Sequence, residues 1–487
     1  MRTDLIYFNG IDGDTGSYDL PPMTAEELAK VILGEATPQN IYELRRRHEL
    51  ETVKHLGPEV DHTKLDEAGW GVIFPKYPEE ERQKKVDAIR EALQPLLQLR
   101  EQQAGERFAA WCQGTGKGFC VGDENKNEYL KRQGMGAGPA DPDKVPYYLL
   151  IVGNPADIPY SFQSQLDIDY AVGRIHFETP DEYAAYAANV VAAETGPKKQ
   201  ARKATFFSVA NSHDRATQLS DTKLTQPLAD KMRTGYPDWT VQLYPPDQAY
   251  KATLASLLGG AETPAFLFTS SHGMKFANGN PRQLSHQGAL LCQDWPGPEE
   301  WTKPIIPQDF YFAGDDLTLA ADLHGLIAFF FACYGGGTPL YDGFARQAHP
   351  GSTSTTRSEI APYPFLAQLP VKMLGRSRGA LAVVGHVDRA WGCSFEWGKA
   401  GTQTTVFEGA LERLLNGYPI GWAIQHFNNR HASLAVMLTD ELEEIDFGKG
   451  YDPPKLAELW IANNDARGYA IIGDPAVRLP MDRDPQG

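Results

Sequence analysis

Two short, almost wholly apolar runs of this chain each deliver one reactive side chain onto glycine. The first, Ala265-Phe266-Leu267-Phe268-Thr269-Ser270-Ser271, ends at His272-Gly273. The second, Gly325-Leu326-Ile327-Ala328-Phe329-Phe330-Phe331-Ala332, ends at Cys333 and runs through Tyr334 into Gly335-Gly336-Gly337. Apolar runs of this length bounded by glycine read as buried parallel strands, because a strand covered on both faces has no polar side to show. Further apolar runs stand at 147–152, 204–210, 239–244 and 380–387. Helical patterns lie between several of them, such as 219–233 with Leu224, Leu228 and Met232 on one face. That alternation predicts an α/β protein with a mostly parallel sheet flanked by helices.

In open sheets of this kind chemistry sits just beyond the carboxyl ends of the strands, where His272 and Cys333 both fall. A thiol with its ordinary pKa of ~8.5 is mostly protonated at neutral pH, so a nucleophilic cysteine needs a base within reach. Free cysteine is also among the most buried residue types, and a single Cys is more often core than catalyst. Two reactive residues at strand ends beside glycine, 61 positions apart, favour the catalytic reading. Of the other histidines, His324 precedes its strand and belongs at the opposite sheet edge. His386 follows the 380–385 run and ranks second, His286 reads as a surface residue, and His431 lies on an apolar helical stripe as a core residue.

The pairs His272-Gly273 and Ala332-Cys333, each after a hydrophobic block, resemble the peptidase group of caspases, gingipains, separases and bacterial CHAT proteases. The caspase pattern Gln-Ala-Cys-Arg-Gly is met only in part, since Phe331 and Tyr334 flank Ala332-Cys333. Tyr148-Leu149-Leu150-Ile151-Val152-Gly153 with Asp157-Ile158-Pro159, Asp169-Tyr170-Ala171-Val172-Gly173-Arg174, and Gly473-Asp474-Pro475 resemble segments of the gingipain catalytic region. The resemblance implies a caspase-like cysteine peptidase with Cys333 as nucleophile and His272 as proton carrier. The Gly273 and Cys333 amides would then hold the oxyanion, and Asp157, by position, is a candidate orienting acid. It also implies that segments 166–170 and 386–392 line the substrate pocket. Asp167, Asp169 and Asp388 there favour Arg or Lys before the scissile bond, with Trp391 beside its stem, whereas Arg389 argues the other way. No metal or organic cofactor is required by such a mechanism. By analogy the chain would be a regulated bacterial effector in defence or cell death, set off by a partner protein. The rival readings are a catalytically silent caspase-like scaffold and a nucleotide-binding module; the latter lacks a glycine fingerprint opening a helix.

The 487 residues leave room for two or three units, expected as an N-terminal extension (1–145), a first catalytic subdomain (146–200) and the caspase-like domain (201–487). A net charge of −17 disfavours nucleic acid as a partner, because phosphate binding is driven by clustered positive charge. Neither a signal peptide nor a membrane span is visible, and five cysteines without a Cys-x-x-Cys pair fit a reduced cytoplasm. Residues 82–104 read as one amphipathic helix, with Val86, Ile89, Leu93 and Leu97 on a stripe. Asp12-Gly13-Asp14 opens like a calcium loop, but Met23 stands where the bidentate Glu belongs, so a turn is expected. The glycine-rich 114–118 stretch reads as a flexible loop. The polar run 346–358 reads as a mobile loop near the site mouth, with Arg357 as a candidate self-cleavage point.

Overall fold

The structure is a computed structural model that describes residues 60–122, 124–136, 138–197, 200–348, 355–397 and 401–481, with the paired segments 5–6, 11–12 and 23–24. Ten strands form one sheet: β1 (Trp70–Ile73), β2 (Phe108–Trp111), β3 (Tyr148–Val152), β4 (Ala171–Ile175), β5 (Lys203–Ser208), β6 (Thr240–Tyr244), β7 (Phe266–Ser270), β8 (Ile327–Phe331), β9 (Ala382–His386) and β10 (Tyr469–Gly473). Their order is β6-β5-β7-β8-β9-β10-β4-β3-β1-β2. All neighbours are parallel except β9 and β10, where His386 opposes Tyr469 and Ala382 opposes Gly473. The sheet is thus two parallel halves of opposite direction, and their strand ends point to opposite edges. Strand–helix alternation predicts parallel pairing within each half. It says nothing of the reversal between them, which the returning β10 creates.

Burial explains the apolar sequence of the central strands, since every residue of β7, β8 and β9 is inaccessible to solvent. Phe268 stacks on Phe329 at 5.2 Å, and Phe407 of the helix Thr405–Leu415 packs edge-on against Phe427 at 5.0 Å beneath them. Each such ring contributes about 2–3 kcal/mol by leaving water.

The helices α1 (Glu80–Ala92), α2 (Gln94–Ala104) and α3 (Pro180–Thr195) cover the first half. The single helix expected over 82–104 is broken at Leu93 because Pro95 opens the next one, having no N–H to continue the ladder. Asp474 of the Gly-Asp-Pro segment fastens this half together. Its carboxylate accepts Trp70 Nε1 at 2.9 Å and Arg100 Nε at 2.7 Å, and Arg100 reaches on to Glu194 at 2.6 Å. Gly173 lies against β10 so closely that a Cβ would sit 2.1 Å from the Gly473 carbonyl oxygen. Arg174 beside it bonds Gln163 and the carbonyls of Gly153 and Pro159, fixing the turn after β3.

Three expectations change here. The boundary at 145 falls inside the sheet, because β1 pairs directly with β3, Trp70 opposite Tyr148. The loop expected over 346–358 is a two-stranded ladder, Tyr341–Ala348 with Thr355–Glu359, and residues 349–354 lie outside the described residues. Asp12 lies in a short strand, Ile11–Asp12, paired in parallel with Met274–Lys275; Gly13 and Asp14 lie outside the described residues.

Candidate active site

Neighbouring strands β7 and β8 pair with a constant offset of 61 positions, from Phe266 opposite Ile327 to Ser270 opposite Phe331. The same offset separates His272 from Cys333, so the register carried two residues past the strands sets them abreast at one sheet edge. Ser271 N–H donates to the Phe331 carbonyl at 3.2 Å, holding the two chains together beyond the ladder. Gly273 admits no side chain: a Cβ would stand 1.8 Å from the Cys333 carbonyl oxygen. It also bridges Leu290 through the bonds Met274 N–H to Ala289 and Leu291 N–H to His272. Those bonds flank Gly273, so its own N–H turns away from the Leu290 strand.

The third member of the site comes from β5. Helix α4 (Arg215–Ser220) follows that strand, and Asp214 caps it, accepting Ala216 N–H on Oδ1 at 3.1 Å. Its Oδ2 accepts His272 Nε2–H at 2.6 Å and the Thr217 hydroxyl at 2.8 Å. With Nε2–H committed to the carboxylate, Nδ1 is the basic nitrogen of the ring. Asp214, His272 and Cys333 are all wholly buried. Asp157 does not take this role. It follows β3, whose end lies at the far edge of the sheet, and pairs there with Arg82 at 2.7 Å. The signal that marks Asp214 in the sequence is an acid at a helix cap a few residues past the apolar run 204–210.

The turn carrying Cys333 is held in a costly shape. Tyr334 adopts φ 58° and Asp388 φ 87°, left-handed values rare outside glycine, and Tyr334 N–H donates to the Asp388 carbonyl at 2.7 Å. Such residues cost about 1–3 kcal/mol each and persist only where the surroundings over-determine them. The glycines permit close passage, for a Cβ on Gly385 would meet Gly336 N at 2.6 Å and one on Gly337 would meet Tyr160 Oη at 2.0 Å. The Cys333 thiol donates to the Ala390 carbonyl at 3.6 Å.

The expected pocket residues separate. Asp167 and Asp169 precede β4 and do reach the same edge as Cys333. Asp169, however, is paired with buried Lys126 at 2.7 Å. Asp167 is enclosed, accepts Val172 N–H, and burial pushes its carboxyl well up. Trp391 packs among Leu434, Leu438, Leu456 and Trp460 with its backbone N–H on the Asp465 carboxylate, so it belongs to a helical core instead of flanking a substrate stem. Arg389 is held by Asp342 through two bonds of 2.8 and 2.9 Å. Asp388 lies just past β9, joined through its carbonyl to Tyr334 N–H, and its carboxylate accepts Gly343 N–H and Arg389 Nη1, each at 3.4 Å. Burial raises its carboxyl more than Arg389 lowers it. His386 is tied to the Asp465 carbonyl at 2.9 Å, and His324 lies at the amino end of β8. His286 is buried between Tyr311 and Asp315 and is no surface residue. Arg357 sits in the ladder opposite Arg346, over the Tyr341 ring.

Residues 119–291 match the sequence profile of peptidase family C25. That stretch holds Asp214 and His272 and stops before Cys333. Among solved structures, the Arg-specific cysteine proteinase gingipain R (RgpB) is 12% identical, with a TM-score of 0.48 over 88% of this chain and 80% of that one. The complex of Porphyromonas gingivalis RgpB pro- and mature domains is 12% identical, with a TM-score of 0.45 over 84% and 79%. No curated protein sequence matches. No described helix is long and apolar enough to cross a membrane.

Proposed function

We propose that the chain, whose residues 119–291 match the profile of peptidase family C25, is a cysteine endopeptidase working through Cys333, His272 and Asp214. His272 Nδ1 takes the thiol proton, the thiolate adds to the scissile carbonyl carbon, and the oxyanion lies against the Gly273 and Cys333 amides. The imidazolium returns the proton to the departing amine as the carbon–nitrogen bond breaks, leaving a thioester. Water, deprotonated by the same nitrogen, then hydrolyses it and restores the thiol. Asp214 keeps the ring in the tautomer that presents Nδ1 and balances the imidazolium charge. The observation that carries this reading is the shared register of His272 and Cys333 together with the 2.6 Å bond from His272 to Asp214.

The preferred residue before the cut is Arg or Lys. Asp388 is the remaining acid of the three; its neighbour Arg389, 3.4 Å away, is drawn off by two shorter bonds to Asp342, and a buried carboxyl gains most from a cation brought against it. Because the triad is enclosed, opening of the covering segments precedes substrate binding. A peptide-library cleavage profile of the wild type against Cys333→Ala tests both parts. Cleavage after Arg or Lys that vanishes in the variant is expected. Cleavage that survives Cys333→Ala overturns the nucleophile, and a preference for Asp overturns the pocket.

A further inference from the structure

We infer that Thr217 is a positioning residue for peptide hydrolysis, acting through Asp214 on the tautomer and aim of His272; this rests on the reading of Cys333, His272 and Asp214 as the catalytic set. Thr217 stands in the first turn of α4, wholly buried, and its hydroxyl donates at 2.8 Å to the same Asp214 oxygen that accepts His272 Nε2–H. The hydroxyl has two acceptors within reach, Asp214 Oδ2 at 2.8 Å and the Asp214 carbonyl oxygen at 3.4 Å, and the shorter bond goes to the carboxylate. Asn211 N–H donates into Thr217 Oγ1 at 3.1 Å, so the hydroxyl's own hydrogen is turned toward Asp214. Gln218 Nε2 in turn holds the Asn211 carbonyl at 3.1 Å, and Asn211 Nδ2 holds the Trp295 carbonyl at 2.6 Å. The loop after β5 is thereby closed on itself around one carboxylate.

The geometry separates two duties of that carboxylate. Oδ1 serves the helix cap through Ala216, while Oδ2 serves His272. Rotation about Cβ–Cγ would lift Oδ2 off the ring and carry Oδ1 with it, so the Ala216 bond on Oδ1 is one fixed point against it. The Thr217 hydroxyl is the second fixed point that stops this rotation. A donor on an ionised acceptor is among the stronger hydrogen bonds, so its loss should be felt in the imidazole geometry and not only in stability.

The test compares Thr217→Val, which keeps the methyl and loses the hydroxyl, with Thr217→Ser, which does the reverse. Two readouts are taken: kcat and KM on a fluorogenic Arg peptide, and the pH dependence of Cys333 alkylation by iodoacetamide, followed by peptide mapping. Thr217→Val is expected to lose about 10- to 100-fold in kcat, with KM within about twofold and a displaced alkylation profile. Thr217→Ser is expected to restore both. Should Thr217→Val fail to fold, Thr217→Ala against Thr217→Ser makes the same comparison. A wild-type kcat and alkylation profile in Thr217→Val overturns the inference, as does a Thr217→Ser variant as impaired as Thr217→Val. A wild type without peptide cleavage overturns the peptidase reading, and the alkylation profiles still decide the role of Thr217.

Discussion

Replacing Asp214 by asparagine removes a charge and one acceptor from a group that serves three donors. Ala216 N–H reaches Oδ1, while Thr217 Oγ1–H and His272 Nε2–H reach Oδ2. Asparagine has one oxygen and one NH2 for these places. If the oxygen stays on the helix cap, the NH2 faces His272 and forces Nε2 to accept, which moves the ring proton to Nδ1 and removes the base from the Cys333 side. If the oxygen faces His272 instead, the NH2 meets Ala216 N–H and the cap is lost, at about 0.5–2 kcal/mol of stability. The first arrangement is favoured because the Thr217 hydroxyl can turn its hydrogen to the residue 214 carbonyl, 3.4 Å away, and accept from the NH2, whereas Ala216 N–H cannot turn. A wrong tautomer in a comparable triad lowers kcat by about 10⁴, equivalent to about 5.4 kcal/mol at 1.36 kcal/mol per decade. Asp214→Asn should therefore lose about three to four decades of kcat/KM on an Arg peptide, with thermal unfolding close to wild type. Activity within tenfold of wild type would refute this reasoning, the more so if Asp157→Asn were inactive.

Arg100→Met leaves the buried Asp474 and the partly buried Glu194 without their cation, and urea denaturation should show a loss of about 3–5 kcal/mol. Burial lowers His176 to about 4 from its ordinary 6.5. The unfolded chain therefore takes up a proton between pH 6.5 and 4 that the folded chain refuses. His176 lets stability fall by about 3 kcal/mol as pH drops through that window, with no such loss above it. His176→Gln should flatten the acid limb of stability against pH measured by urea titration. Deleting residues 1–24 removes the strand Ile11–Asp12 from Met274–Lys275, next to His272-Gly273, and iodoacetamide should then alkylate Cys333 several-fold faster; an unchanged rate would show that this strand does not restrict access.

The two strands that matter most were legible because complete burial leaves only one kind of sequence for them, as Ile327–Phe331 illustrates. Strand ends and glycine mark His272 and Cys333 in the sequence, and the constant register of their strands sets the two abreast at one sheet edge. The strands at Trp70–Ile73 and Phe108–Trp111 were hidden. Each is four residues long, and Phe108-Ala109-Ala110-Trp111 follows a helix with an alanine-rich sequence that only pairing with a neighbour makes extended. The fates of Asp169 and Trp391 were equally out of reach. Their partners, Lys126 and the 434–461 helical core, are 43 or more positions away along the chain, and no local pattern announces such contacts.

The most direct measurement is the site of covalent capture by a peptide that places Arg before an acyloxymethyl ketone. Intact mass should show one adduct on the wild-type chain, and peptide mapping should place it on Cys333, with labelling absent in Cys333→Ala and strongly slowed in His272→Ala. An adduct on Cys112, Cys120, Cys292 or Cys393, or undiminished labelling in Cys333→Ala, would contradict the account.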